Sequence, residues 1–446
     1  MGIIDRLQNF VTDYSFLFQV GLKNVRPNIE RYLQGLFQRY KARNIERMIE
    51  VVDADYQSLH HTITDSPWDA RPVMDLTAQK VDQELGDNEN ACLIIDPSSF
   101  RKWGNNSIGV AKQWCGRLGK VENCQVGVFA ALANGVQAAL IDARLYLPKS
   151  WTDDTERCLA AKVPEEEIRY RKRTEIAREI VEHADEIGVR YGWVLADAEF
   201  SRNLDFCACL DASGKRFVVD IAKDTTIYLD RPEKDNQKGV RVEHFFGAFK
   251  RNELRNVRVR TGSKGIIISR VGHARAWVND SQGRMYRWHI LFLQDEAGNK
   301  HYAVSNAHNR VSAMQLARIH AQRVWIETSF RDAKSAVGMD EYQVRGWVGW
   351  HHHMALCMMA LLFILKERRR QNDTIVQLSA TDVTNCISMF LLTKVADRNE
   401  VLRQLNQRHQ QRLRAQCAHA RRCRLKRRLR RLNQKRVTQS RDKGMK

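Results

Sequence analysis

Two short apolar runs in this chain each close on an aspartate. Ala91–Asp96 reads Ala-Cys-Leu-Ile-Ile-Asp, and Tyr191–Asp197 reads Tyr-Gly-Trp-Val-Leu-Ala-Asp. Runs of this kind are buried strands. If the two strands are parallel neighbours, their backbones lie about 4.8 Å apart, and carboxylates at the same end can share one divalent cation. A hard cation such as Mg²⁺ takes oxygen ligands at about 2.0–2.1 Å and keeps several waters. A lone aspartate at a strand end is ordinarily a turn former or a helix cap. Asp96 and Asp197 gain weight by occurring together, in a matching order of elements. A third candidate lies on a predicted helix, where His320, Arg323, Glu327 and Lys334 fall at about 0°, 300°, 340° and 320° with 100° per residue. That face presents one acid flanked by cations, so Glu327 can complete a metal site while Arg323 and Lys334 hold phosphates. The plain alternative is a solvated face with an Arg-to-Glu i,i+4 pair worth a few tenths of a kcal/mol.

The elements that must position these residues follow a recognisable order. After Ala91–Asp96 come strand-like runs at Gln125–Leu132 and Ala138–Leu147, joined near Asn134-Gly135, a hairpin signal. A helical period follows in Ile176, Ala177, Ile180, Ala184 and Ile187, then the Tyr191–Asp197 strand and a fifth at Phe217–Ile221. This is the order of the ribonuclease-H-like α/β fold, an antiparallel trio extended by parallel strands. Residues 223–308 turn β-rich, with runs at Val257–Arg260, Gly265–Val271, Arg287–Leu293 and His301–Ser305, and read as an inserted β-subdomain. The expected organisation is a helical region over 1–85, a catalytic core over 86–222, the insertion over 223–308, a return to the core over 309–370, and a helical, basic end over 371–446.

Composition narrows the partner. The 446 residues carry 73 Lys and Arg against 52 Asp and Glu, a net charge of +21, with pI near 9.7. Such a balance calls for a polyanion, nucleic acid or an anionic membrane. The longest apolar run, Met354–Leu365, is 12 residues, too short to span a bilayer, and no secretory signal is read at the start, so nucleic acid is the expected partner and the cytoplasm, near the nucleoid, the expected place. From Arg408 to Lys446 there are 16 Lys and Arg and one acid, Asp442. Arg427, Arg428, Arg430 and Arg431 lie in this tail among Leu425, Leu429 and Leu432 at helical spacing, and are expected to contact DNA phosphates. In isolation such a tail is solvated and disordered, and ordering on binding is compatible with that. A basic cluster at Arg39, Lys41, Arg43 and Arg47 makes DNA contact and ordinary surface charge equally good readings of the first 85 residues.

The sequence resembles the DDE transposases of bacterial insertion sequences, in the branch with a β-subdomain before the final acidic helix. That branch carries Tyr-x2-Arg-x3-Glu-x6-Lys, and this chain has His320, Arg323, Glu327 and Lys334 at the same spacing, with His in place of Tyr. Other matching stretches are Ile95–Ser98, Ser107–Val110, Trp114–Lys120, Trp151–Asp154 and Gly349–Met354, so the resemblance covers about residues 90–365. It implies a catalytic and metal-binding triad of Asp96, Asp197 and Glu327 with two Mg²⁺ or Mn²⁺ ions, acting on transposon-end and target DNA. It also implies a dimer on DNA and no nucleotide cofactor, because strand transfer is a direct ester exchange.

Other residues compete with these for a role. Lys112, Arg117 and Lys120 stand among Gly109, Gly116 and Gly119, a basic loop suited to a DNA backbone or simply a long hairpin loop. Trp277 and Trp288 lie in the insertion, where relatives stack an aromatic on an extruded base; core packing is the competing role. Asp142, Asp153, Asp154 and Glu199 are further acids near the expected sheet, Glu199 being the first alternative ligand. His351, His352 and His353 point about 100° apart on a helix and make a poor metal site. Cys207-x-Cys209 has no second pair at zinc spacing. Two rival functions remain at this level: a DNA-binding protein without catalysis, and a metal-dependent nuclease that cuts without joining.

Overall fold

In this computed structural model the described residues are 2–38, 42–232, 238–249, 253–262, 265–370 and 378–391, with isolated helical positions between 402 and 425 and with Arg117, Gly262 and Gly265 described by their backbone alone. The chain divides into two units, residues 1–49 with 54–391, and residues 50–53 with 392–446. In the second unit the described positions beyond 401 are helical. The tail arginines Arg427, Arg428, Arg430 and Arg431 lie outside the described residues, as do Arg39 and Lys41.

Among the described residues, ten strands make the main sheet of the first unit. They are β1 (Cys92–Arg101), β2 (Ala111–Cys115), β3 (Lys120–Ala133), β4 (Ala138–Leu145), β5 (Trp193–Ala196), β6 (Phe217–Asp220), β7 (Arg255–Gly262), β8 (Gly265–Asn279), β9 (Met285–Gln294) and β10 (Lys300–Ser305). The spatial order is β7-β8-β9-β10-β6-β5-β1-β3-β2, with β4 also paired to β3. Its centre, β4-β3-β1-β5-β6, is the expected antiparallel trio followed by two parallel strands. Cys92–Ile95, Trp193–Ala196 and Phe217–Val219 are almost wholly buried, which is why they read as continuous apolar runs rather than alternations. The β3–β4 hairpin closes at Asn134, whose side chain accepts from the Val136 and Gln137 amides at 3.1 and 3.0 Å, with Gly135 at φ +87°.

Three features differ from the sequence reading. Strand β1 does not stop at Asp96: its ladder with parallel β5 ends at Ile95↔Ala196, but its ladder with β3 continues to Arg101↔Cys124. Pro97 lacks an amide donor, and past Ile95 the strand has lost its β5 neighbour, the setting in which a strand proline is tolerated. Residues 111–123 form strand β2 and the start of β3, where a flexible loop was expected. The β-rich stretch before the acidic helix is not a sheet of its own: β10 pairs antiparallel with β6 through Ala303↔Asp220 and Val304↔Val219, so β7–β10 extend the central sheet.

The helices are α1 (Ile3–Thr12), α2 (Arg26–Phe37), α3 (Tyr56–Thr64), α4 (Ala70–Leu85), α5 (Arg173–Glu186), α6 (Asp205–Ala212), α7 (Ala313–His320), α8 (Val324–Val337), α9 (Trp347–Arg370) and α10 (Ala380–Phe390), with several shorter turns between them. The described residues of 1–49 and 54–85 share one hydrophobic core with the sheet and with α9. Phe10 and Phe37 lie 5.5 and 5.9 Å from Phe363, and Arg6 pairs with the buried Glu367 at 2.5 Å. Helix α9 is long and apolar enough to cross a membrane by length and composition, but 89% of its most apolar window is buried inside the protein. An apolar helix with no polar stripe is what a core position produces.

Candidate active site

The register of the three parallel strands aligns three acids. Ile95 lies opposite Ala196, and Ala196 opposite Val219. The next residue on each strand is an aspartate: Asp96, Asp197 and Asp220. Asp220 was missed in the sequence because the run was read as ending at Ile221. The same signal, an apolar strand meeting an acid, was present there too.

The three carboxylates have different surroundings. Asp220 is buried, and His320 Nε2 donates to its Oδ1 at 2.5 Å while Arg323 Nε approaches its Oδ2 at 3.2 Å. Burial opposes ionisation of Asp220, but His320 and Arg323 outweigh it and hold the carboxyl below the usual range. Asp197 is more open: its Oδ1 accepts from the Glu199 amide at 3.1 Å, and Arg323 Nη1 lies 3.4 Å from its Oδ2. Arg323 therefore bridges Asp197 and Asp220. Burial pushes the Asp96 carboxyl up to about 8 against the pull of Arg323, and Asp197, Glu327 and Glu199 add to the rise by repulsion. Glu327 is exposed in the first turn of α8, where the helix dipole favours an acid.

The helix bearing these groups is not uniform. α7 ends at His320, a 3₁₀ turn covers Ala321–Arg323, and α8 begins at Val324. The single-sector projection assumed an unbroken α-helix. The tighter turn advances each residue by about 120° rather than 100° and turns His320 and Arg323 onto the strand acids. Lys334, further along α8, donates to Ser98 Oγ at 2.9 Å and lies 5.4 Å from the Phe100 ring. Arg323 and Lys334, expected as phosphate contacts, and His320 beside them are thus all engaged with the strands that carry the acids.

Among the described residues no group of three His, Cys, Asp or Glu is already gathered as a metal cage. The donor chemistry still suits a hard cation, since Asp96, Asp197 and Glu327 offer carboxylate oxygens. The mutual repulsion recorded on Asp96 is what a divalent ion would relieve. Beside them an open cavity of about 540 Å³ is lined by Asp197, Asp220 and Arg323, together with Lys223, Glu243, Lys300 and His301.

The remaining candidates have local partners. Glu199 is held by Arg173. Asp142 is buried between Arg71 and Arg144 at 3.0 and 3.3 Å. Asp154 caps the helix at Thr155–Ala160, and Asp153 ends the preceding turn. Trp288 is buried edge-on against Phe217 at 5.1 Å. Trp277 is partly exposed, with the Arg231 guanidinium 5.3 Å from its ring. His352 and His353 are buried in α9, bonded to Ile63, Trp68, Tyr32 and Met339. His351 bonds the Trp347 carbonyl. Cys207 and Cys209 are free thiols, Cys207 buried in α6. Lys112 and Lys120 are exposed on the β2–β3 hairpin and Arg117 lies in its 3₁₀ turn.

Comparison with known proteins gives the family. Residues 16–244 match the family described as DDE superfamily endonuclease, and residues 169–363 match the family described as transposase DDE domain. The chain belongs to the DDE superfamily, among the transposases of insertion sequences. It is similar to the probable transposase for insertion sequence element IS701 of Microchaete diplosiphon, 24% identical over 344 residues, which covers 75% of this chain and 82% of that relative.

Proposed function

We propose that this transposase cuts the ends of its insertion sequence and joins the freed 3′-OH to target DNA, with Asp96, Asp197 and Glu327 holding two Mg²⁺ or Mn²⁺ ions. The observation that carries the reading is the alignment of Asp96 and Asp197 at one level of adjacent parallel strands, with Glu327 within electrostatic reach of Asp96. Bound there, such ions would activate a water at the scissile phosphate and stabilise the leaving 3′ oxygen. The chain's own groups do the rest. The triad supplies oxygen donors, and Arg323 holds Asp197 in place while keeping N–H groups toward the cavity, where a phosphate can meet them. Asp220 is a positioning residue that orients His320 and Arg323. Lys223 and Lys300 give the cavity lining ammonium groups, and His301 an imidazole, for the DNA strand entering it. Two copies, one per transposon end, fit the need to cut both ends together.

The test is incubation of the full-length protein with Mg²⁺, a labelled transposon end and a supercoiled target. Joined products are expected, and none with Asp96→Asn, Asp197→Asn or Glu327→Gln. Cut ends that never join would make the protein a nuclease. A shifted but intact end would make it a DNA-binding protein without catalysis.

A further inference from the structure

One face of the sheet runs on past the acids to an edge that nothing above uses. Along β1, Asp96, Ser98 and Phe100 alternate onto one face, opposite Phe129, Gly127 and Gln125 of β3. The line continues through Asn123, which pairs with Lys112 of β2, to Val121, which pairs with Trp114. Near Asp96 this face is covered by α8: Phe330 packs edge-on against Phe129 at 5.4 Å, and Lys334 reaches Ser98. The cover then ends. Trp114 and Val121 are 56% and 62% exposed. Eight residues separate Phe129 from Val121, about 27 Å at 3.4 Å per residue, or about eight base pairs of duplex rise.

Beside them stands a second uncovered ring. Trp103 is 85% exposed, yet its turn is pinned: Asn123 Nδ2 donates to the carbonyls of Lys102 and Gly104, both at 2.9 Å, and the Arg101 guanidinium lies 4.4 Å from the ring. Trp114 and Val121 pair on neighbouring strands, and Asn123 holds the Trp103 turn between them. These side chains make an exposed apolar patch rather than a scattered single ring, the kind of surface that marks a contact site. The surroundings specify the partner's charge. Arg101, Lys112 and Lys120 stand here against Glu122, which Arg101 and Lys120 already neutralise at 3.7 and 3.6 Å, while the Lys102 ammonium turns inward to the Tyr342 carbonyl. Between the hairpin and the short helices that follow β4 lies a groove of about 800 Å³, lined by Asn105, Asn106, Lys112, Asn123 and Ser150, with the capping Asp154 at its side. Amide, hydroxyl and ammonium donors beside open aromatics are the chemistry that meets phosphates, sugars and base edges.

We propose that the Trp103 turn and the β2–β3 hairpin form a second DNA contact, gripping duplex about eight base pairs from the scissile phosphate. Trp103 and Trp114 lie against the groove edge and Lys112 meets a phosphate. The distance from the cut rests on the reading of Asp96 as catalytic; the DNA contact itself does not. The face that carries this patch is continuous with the strand that carries Asp96.

The experiment measures affinity of the full-length protein for end duplexes that extend four, eight or twelve base pairs from the cleavage point, on either side. It compares wild type with Trp103→Ala/Trp114→Ala and with Lys112→Ala. The double variant should bind the long duplexes of one side about tenfold more weakly, the order expected for a lost aromatic contact, and the four-pair duplexes as wild type does. Lys112→Ala should reduce the slope of log affinity against log salt by about one. A length-dependent loss on target duplexes instead of ends would support the contact and assign it to target DNA. Equal affinity at every length, or loss of self-association in sedimentation with DNA affinity intact, would overturn the proposal. The exposed rings can be removed without opening the core, and Lys112→Ala keeps the test valid if the double variant unfolds. Because binding needs no cleavage, failure of the catalytic reading and failure of this one give different results.

Discussion

At the scale of single residues, the account turns on a division of labour among carboxylates that look alike in the sequence. Asp96 and Asp197 were legible because each closes an apolar run, and Glu327 because cations flank it at helical spacing. Asp220 satisfies the first criterion as well, yet its partners make it different: it is buried under His320 and Arg323, whereas Asp197 remains open to the cavity. Sequence cannot distinguish these cases, because the pairing depends on a 3₁₀ turn that leaves no mark in residue type. Asp220→Asn should therefore lower cleavage by about ten- to a hundredfold without raising the Mg²⁺ needed for half-activity. Asp220→Ala should also lower the thermal midpoint, since it removes the partner of His320 and leaves the largely buried Arg323 with Asp197 alone. A metal titration combined with thermal melts checks both. A steep rise in the metal requirement of Asp220→Asn would make Asp220 a ligand. Glu199→Gln, by contrast, should cut at close to the wild-type rate, because Arg173 already engages that carboxylate.

At the scale of elements, the strands were read from burial and the helices from periodicity, and the errors came where neither signal is strong. β2 alternates only partly, with Lys112 and Trp114 outward, and glycines on both sides disguised it as a loop. β1 was cut short because Pro97-Ser98-Ser99 carries no strand propensity, although β3 holds it in register to Arg101. α9 was visible as an apolar helix, but its histidines could not be assigned until their partners were known. His353 accepts from Tyr32 and donates to the Met339 carbonyl, and burial lowers it to about 3. In the β9 strand His289 accepts from His273 and donates to the Ala307 carbonyl, and burial lowers it to about 4. Both rings are neutral in the fold. A depressed histidine gives stability that is present above its unfolded value of about 6.5 and is lost as pH falls from there toward the folded value. The thermal midpoint should accordingly fall between pH 6.5 and about 4, each such histidine contributing about 1.4 kcal/mol per pH unit within that window. His289→Asn should flatten part of that slope. An unchanged midpoint down to pH 4.5 would show that neither ring is held neutral.

At the scale of the whole molecule, charge is unevenly placed. The last 39 positions, 408–446, hold 16 of the 73 Lys and Arg and one of the 52 acids, so most of the excess belongs to a segment with little apolar content. This was legible directly, since it needs only counting. Such a segment should bind phosphates with little sequence preference. If about six of its cations engage, removing residues 408–446 should flatten the dependence of log affinity on log salt by about five units. Discrimination of the true end from random duplex should survive, because base readout belongs to folded elements. A salt titration of both proteins on matched duplexes reads this, and loss of end selectivity on truncation would place recognition in the tail.

The central claim, that Asp96, Asp197 and Glu327 hold the metal ions of the reaction, is tested most directly by exchanging one ligand for a softer one. Asp197→Cys offers a thiolate, which binds Mg²⁺ poorly and Mn²⁺ better. Cleavage of a labelled end by this variant should be abolished in Mg²⁺ and partly restored in Mn²⁺, while Asp197→Ala stays inactive in both. Wild-type cleavage by Asp197→Cys in Mg²⁺, or equal activity of the cysteine and alanine variants in Mn²⁺, would contradict the assignment.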